Sequence, residues 1–199
     1  MELQELVDGL AKGIKAADSR SPVAVGQRSG RVFQPGIGPH SESETVTLAL
    51  AEASAGFDRM HLEREVPYPA ITRSRCDLVI DESPGWAIEI KLLRLLGDNG
   101  LKNDNMLMHI LSPYAVDHSA LSDCSKLLQS GFAQRKAIVV IGYDYDKLPM
   151  MSTIRAFELL AESQVKLTPT NAAPFSGLIH PVHHRGAVFG WEITEQRDH

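Results

Sequence analysis

Two strand-length runs, RCDLVID (Arg75 to Asp81) and WAIEIKLL (Trp86 to Leu93), stand four residues apart across Glu-Ser-Pro-Gly. Val, Ile and Leu dominate both runs, and the break is turn chemistry, so the pair reads as a β-hairpin. Side chains alternate along a strand, so Glu89 and Lys91 share one face while Ile88, Ile90 and Leu92 share the other. With the turn centred on Ser83, Asp77 falls opposite Glu89, where Cβ atoms stand about 5 Å apart. Two carboxylates opposed in this way repel unless positive charge lies between them. A lysine helps, but a divalent cation satisfies two carboxylates better.

The rest of the chain reads as alternating helices and strands. Leu3, Leu6, Val7, Leu10 and Ile14 follow helical spacing, which predicts an amphipathic helix over about 2 to 17. The Gly-, Pro- and Ser-rich stretch from Ser19 to Pro39 reads as a long loop or arm. Ser41 and Glu44 have capping-box spacing ahead of Val46, Leu48, Ala49, Leu50 and Ala53, which predicts a second helix. A short strand, His61 to Val66, ends at Pro-Tyr-Pro and precedes the hairpin. Ser119 to Gln129 and Met151 to Ser163 read as helices. KAIVVIGYDY is a buried strand by composition and GAVFGWEIT a final strand. This order predicts an α/β fold with a mixed central sheet flanked by helices, in a single domain over residues 1–199. Its parts are an N-terminal helix and arm (1–40), a core (41–145), and a C-terminal helix and strand (146–199).

The hairpin residues carry a coherent chemistry. Mg²⁺ takes one or two carboxylates, keeps several waters and accepts substrate phosphate oxygens. A metal at Asp77 and Glu89 lowers the pKa of a bound water and polarises a phosphoryl group. Lys91, one side chain along from Glu89, is placed to position that water and stabilise developing negative charge. Glu44, in the first turn of the second helix, is a third acid that binds metal directly or through water; its other reading is the cap on Ser41 alone. Arg75 shares the face of Asp77 and is a candidate phosphate contact, as are Lys126 on the following helix and Arg28 and Arg31 in the acid-free segment Ser19 to His40.

Asp77, then Glu89-Ile90-Lys91, on a hairpin preceded by a helix bearing Glu44, resembles the PD-(D/E)XK nuclease superfamily with its restriction-endonuclease-like fold. The common core of that superfamily runs helix, three strands, helix, strand, and the order from about Ser41 to Tyr145 is similar. The resemblance implies a Mg²⁺-dependent nuclease, with Mn²⁺ able to substitute. Asp77 and Glu89 bind metal, Lys91 acts on the water and Glu44 assists. Cys76 stands where the nominal motif has proline, and the Gln-x-x-x-Tyr variant is not matched, since Gln134 is followed at that spacing by Ile138. The implied substrate is DNA, with RNA the other candidate, in a restriction, repair or defence role. The implied partners are a second copy of the chain or a DNA-recognition subunit.

Each feature also has a plainer reading. AIEIKL is what a half-buried strand with a solvated Glu89–Lys91 pair looks like. Lys126 fits a solvated helix face, and His109 and His118 fit ordinary polar positions. The loop GDNGLKNDN is either a turn or a substrate-contacting loop. In His183-His184-Arg185, adjacent residues point apart in an extended chain, which argues against a metal pair. The formal net charge of −5 argues against non-specific coating of nucleic acid and supports a competing reading, a non-catalytic nucleic-acid-binding or regulatory subunit of the same fold. No apolar run approaches a membrane span, and no basic, apolar leader opens the chain. Two cysteines make neither a disulfide framework nor a zinc cluster, which favours a reduced, cytoplasmic setting.

Overall fold

A computed structural model of the protein describes residues 1–26, 30–57, 61–81 and 85–195. Helices α1 (Leu3–Ser19) and α2 (Glu42–Phe57) lead into strands β1 (Leu62–Pro67), β2 (Arg75–Ile80) and β3 (Trp86–Leu93). A short helix α3 (Met108–Leu111), flanked by two 3₁₀ turns, precedes α4 (Ala120–Leu128) and β4 (Arg135–Tyr143). Helix α5 (Met151–Ala161) and strands β5 (Lys166–Leu167), β6 (Asn171–Ser176) and β7 (Arg185–Thr194) complete the described chain.

All seven strands form one mixed, open sheet ordered β1-β2-β3-β4-β7-β5, with β6 also on β7. Among the described residues β3 and β4 alone pair in parallel, joined by a crossover that carries α3 and α4. The strands nearest the centre are the most apolar. Every residue of β3 is buried, as are the last seven of β4, because both sheet faces are covered by helices.

The register sorts the helices between the two faces. Gly190 of β7 pairs with Val139 of β4, which pairs with Ile90 of β3. A Cβ at Gly190 would come within 2.8 Å of Val7 Cγ2, so this row lies under α1. The neighbouring row, Trp191, Ile138 and Glu89, lies on the other face, where the Trp191 ring packs 5.0 Å from Phe157 of α5. Leu3, Leu6, Val7, Leu10 and Ile14 are all buried, so α1 spends its apolar stripe inside its own domain. Helix α1 also crosses α2 closely: a Cβ on Gly13 would sit 2.1 Å from the Ala49 carbonyl oxygen.

The segment read as an arm is partly built into the fold. Asp18 accepts the backbone amides of Ile37 (2.8 Å) and Ile179 (2.7 Å), and Ile37 is fully buried. Strand β6 departs from the expected helix-then-strand ending: the TPTNAAPFS stretch looks like loop, but it pairs antiparallel with β7 over six residues. No helix among the described residues is long and apolar enough to cross a membrane.

Candidate active site

The hairpin has the register its sequence implies. Leu78 pairs with Ile88 and Ile80 with Trp86, a ladder symmetric about position 83, which itself lies outside the described residues. Continued by one residue, that register sets Asp77 opposite Glu89. Regular pairing stops at Leu78, and the Asp77 side chain takes over: its Oδ2 accepts the Ile90 amide at 2.7 Å.

Glu89 and Lys91 are not a solvated pair. They retain 2% and 8% of their exposure. Burial of ionised groups is tolerable only with partners, and α4 supplies them. Lys91 Nζ lies 2.8 Å from Asp123 Oδ2 and 3.9 Å from Glu89 Oε2. Lys126 Nζ lies 2.8 Å from Glu89 Oε1 and 2.9 Å from Asp123 Oδ1. The Tyr68 hydroxyl donates to the same Glu89 Oε1, and Lys126 stands 5.0 Å from the Tyr68 ring centroid. Lys126 therefore joins this ionic cluster rather than a solvated face. Asp123, at 1% exposure, is the buried carboxylate that holds both lysines.

The first turn of α2 contributes a different acid from Glu44. The Glu44 carboxylate is exposed and accepts hydrogen bonds from the Ser41 amide (3.0 Å) and hydroxyl (2.8 Å), while the Glu44 amide donates to Ser41 Oγ. That is the capping box. Glu42, two residues earlier, reaches β3, where its Oε2 accepts the Leu92 amide at 2.7 Å. Helical geometry explains the exchange. Glu42, Thr45, Val46 and Ala49 repeat at the spacing of one face, and the last three are fully buried; Glu44 lies about 200° around from Glu42. Arg64 of β1 fixes α2 over the sheet, donating to the Asp77 carbonyl (3.0 Å), Thr47 Oγ1 (2.9 Å) and Ser43 Oγ (3.3 Å).

Of the other proposed substrate cations, Arg75 and Arg31 make their contacts elsewhere. Arg75 is exposed and donates to the Glu65 carbonyl. Arg31 lies over the Phe33 ring at 5.1 Å, and Arg28 lies outside the described residues. His183 is buried between Tyr145 (2.8 Å) and Asp98 (3.1 Å) while His184 is exposed, so the two do point apart.

Electrostatics follow from this packing. Burial pushes the Glu89 carboxyl up to about 8, with Asp123 and Asp77 adding to it. Burial likewise pushes Glu42 up to about 7, against the pull of Lys91. For Lys91 burial works the other way, but Asp123, Glu42, Asp77 and Glu89 together outweigh it and hold the ammonium above its ordinary value. Lys91 thus carries a fixed positive charge near neutral pH. The Cys76 thiol is buried, donates to the Ile88 carbonyl at 3.2 Å and is pushed up to about 12, mainly by burial, so it is inert.

The donor set suits a hard divalent cation better than a soft one. Asp77, Glu89, Asp123 and Glu42 face two ammonium groups, which leaves two formal negative charges over when all are ionised. Asp77 and Glu42 each give one oxygen to an amide of β3, at Ile90 and Leu92, and among the described residues the second oxygen accepts no hydrogen bond. Among those residues no three of His, Cys, Asp and Glu form a ready-made metal cage. Mg²⁺, which keeps several waters, does not require one.

Asp123, Glu42 and Tyr68 are the site residues that motif reading passes over. Compared with protein-family models, curated proteins and solved structures, the chain matches none.

Proposed function

We propose that the chain is a Mg²⁺-dependent nuclease with a restriction-endonuclease-like fold, hydrolysing phosphodiester bonds, in DNA foremost. The observation that carries this reading is the cluster of buried Glu89 and Lys91 with half-buried Asp77 at the point where the β2–β3 ladder opens, joined by half-buried Glu42. The helix, three strands, helix, strand order of α2, β1–β3, α4 and β4 agrees with it. A stability role alone does not account for the cluster, since buried ion pairs rarely stabilise more than apolar packing would.

Asp77 and Glu89, with Glu42, would hold the cation, which when bound supplies charge to polarise the phosphoryl group and acidify a water. Lys91 stabilises the negative charge that grows as the water oxygen joins phosphorus and the bond to the leaving hydroxyl breaks. Asp123 positions Lys91, while Lys126 and Tyr68 set the orientation of Glu89. The same contacts favour the second reading, a non-catalytic binding or regulatory subunit, because Lys126 and Tyr68 already occupy Glu89 Oε1. Metal titration separates the two: a nuclease binds Mg²⁺ or Mn²⁺ and loses that binding in Asp77→Asn, whereas a self-neutralised cluster binds neither.

A further inference from the structure

Between β3 and α4 the chain builds an apolar wall beside the ionic cluster. Residues 104–118 form two 3₁₀ turns around the four-residue α3, and within them Met108 is 51% and Val116 80% exposed. The turn that carries Val116 is closed by side-chain hydrogen bonds. Ser112 Oγ donates to Asp117 Oδ2 (2.5 Å) and accepts the Tyr114 amide (3.2 Å), which leaves Val116 at the tip. His118 holds a left-handed conformation (φ 47°) that L-residues rarely adopt. Met108 and Val116, with Asn105, His109 and His118, line a cleft of about 580 Å³ whose remaining wall is Glu42, Lys91 and Asp117.

The composition of this wall suits a single base rather than a run of backbone phosphates. Tracking a duplex takes several Lys or Arg on backbone phosphates. Among the described residues Lys91 is the sole Lys or Arg lining the cleft, and the chain is acidic overall. An unpaired base needs something else: apolar surface to stack on and a few amide or imidazole groups to meet its edge. Met108 and Val116 offer the first, and Asn105, His109 and His118 the second. The volume falls in the range of sites that enclose a small organic group.

We infer that the cleft seats an unpaired base of the substrate strand next to the scissile phosphate, making the preferred substrate single-stranded or locally unpaired nucleic acid. This rests on the nuclease reading for the position of the phosphate, but it is tested by binding alone. Fluorescence anisotropy in Ca²⁺ would compare a labelled single-stranded oligonucleotide, the matching duplex and that duplex with one bulged nucleotide. The wild type and the double variant Met108→Ser/Val116→Ser would be run in parallel. The wild type is expected to bind the single strand and the bulge at least roughly tenfold more tightly than the duplex, and the double variant to lose roughly tenfold on those two and nothing on the duplex. Equal or tighter binding of the duplex, no binding of any of the three, or binding unchanged in the double variant would overturn the inference. Cleavage of the same substrates in Mg²⁺ tests the nuclease reading separately. Cutting without strand preference removes the base-seating cleft and keeps the nuclease; selective binding without cutting does the reverse.

Discussion

Glu42 and Glu44, two residues apart on one helix turn, should respond oppositely to pH. Glu42 ionises at about 7 in the folded protein against 4.5 for an ordinary Glu, chiefly because it is buried. Its folded-state value is raised, so its contribution to stability is fully present below 4.5 and is lost as pH rises through 7. At one pKa unit per 1.36 kcal/mol, the cost of ionising it in place reaches about 3 kcal/mol near pH 8. Glu42→Gln keeps an acceptor for the Leu92 amide and removes the charge. Relative to wild type, it should therefore gain about 3 kcal/mol between pH 4.5 and pH 8 in urea unfolding with EDTA present. His40, His180 and His183 are all held low, chiefly by burial, and favour the native state more as pH rises, but they are common to both proteins and cancel. Glu44 is held low by its Ser41 hydrogen bonds but its carboxylate is exposed, so after solvent screening Glu44→Gln should cost no more than about 0.5 kcal/mol at neutral pH and less in acid. With Mg²⁺ added at pH 8, wild type should gain more stability than Glu42→Gln. A Glu42→Gln difference that is flat or falls with pH, or the same pH trend in both variants, would refute the assignment of Glu42 to the site.

Lys126→Met leaves Glu89 and Asp123 with one shared cation, and should destabilise the protein by about 3 kcal/mol near pH 8 and less near pH 5, where Glu89 carries its proton; urea unfolding at the two pH values checks it. Gly13→Ala drives a methyl into the Ala49 carbonyl and should lower stability by about 2 kcal/mol or more, seen as a fall in Tm of about 5 °C or more. Cys76 and Cys124 are fully buried with thiols pushed up to about 12, so neither should react with a thiol reagent near pH 8 until urea unfolds the chain.

Local periodicity made the hairpin legible. Period-two alternation and one turn were enough to set Asp77 against Glu89, because a one-residue slip would turn every side chain of β3 to the other face. The same kind of signal was present for two residues that were passed over. Glu42 precedes Thr45, Val46 and Ala49 on a buried face, and Asp123 interrupts the stripe of Ala120, Cys124 and Leu127 on α4. An acid in register with the apolar stripe of a helix is a stronger mark than one on the opposite side of the same first turn, where capping is the ordinary role. Tyr68 carried no local mark, since only the sheet brings Pro-Tyr-Pro to Glu89. Nor could Ile37 and Ile179 be read as anchored, because their shared partner Asp18 lies 161 residues from Ile179. Strand β6 was hidden by its own composition: Pro174 lies within a strand whose pairing, among the described residues, is to β7 alone.

The central claim is tested most directly by incubating purified wild type, Lys91→Met and Asp77→Asn with plasmid, linear duplex, single-stranded DNA and RNA, in Mg²⁺ or Mn²⁺ and in EDTA. Metal-dependent cutting by wild type that falls at least about a hundredfold in both variants, with their folds intact by circular dichroism, is the predicted result. Cutting that survives in Lys91→Met or in EDTA would contradict the assignment of the site, and absence of both cutting and metal binding in wild type would contradict the nuclease itself.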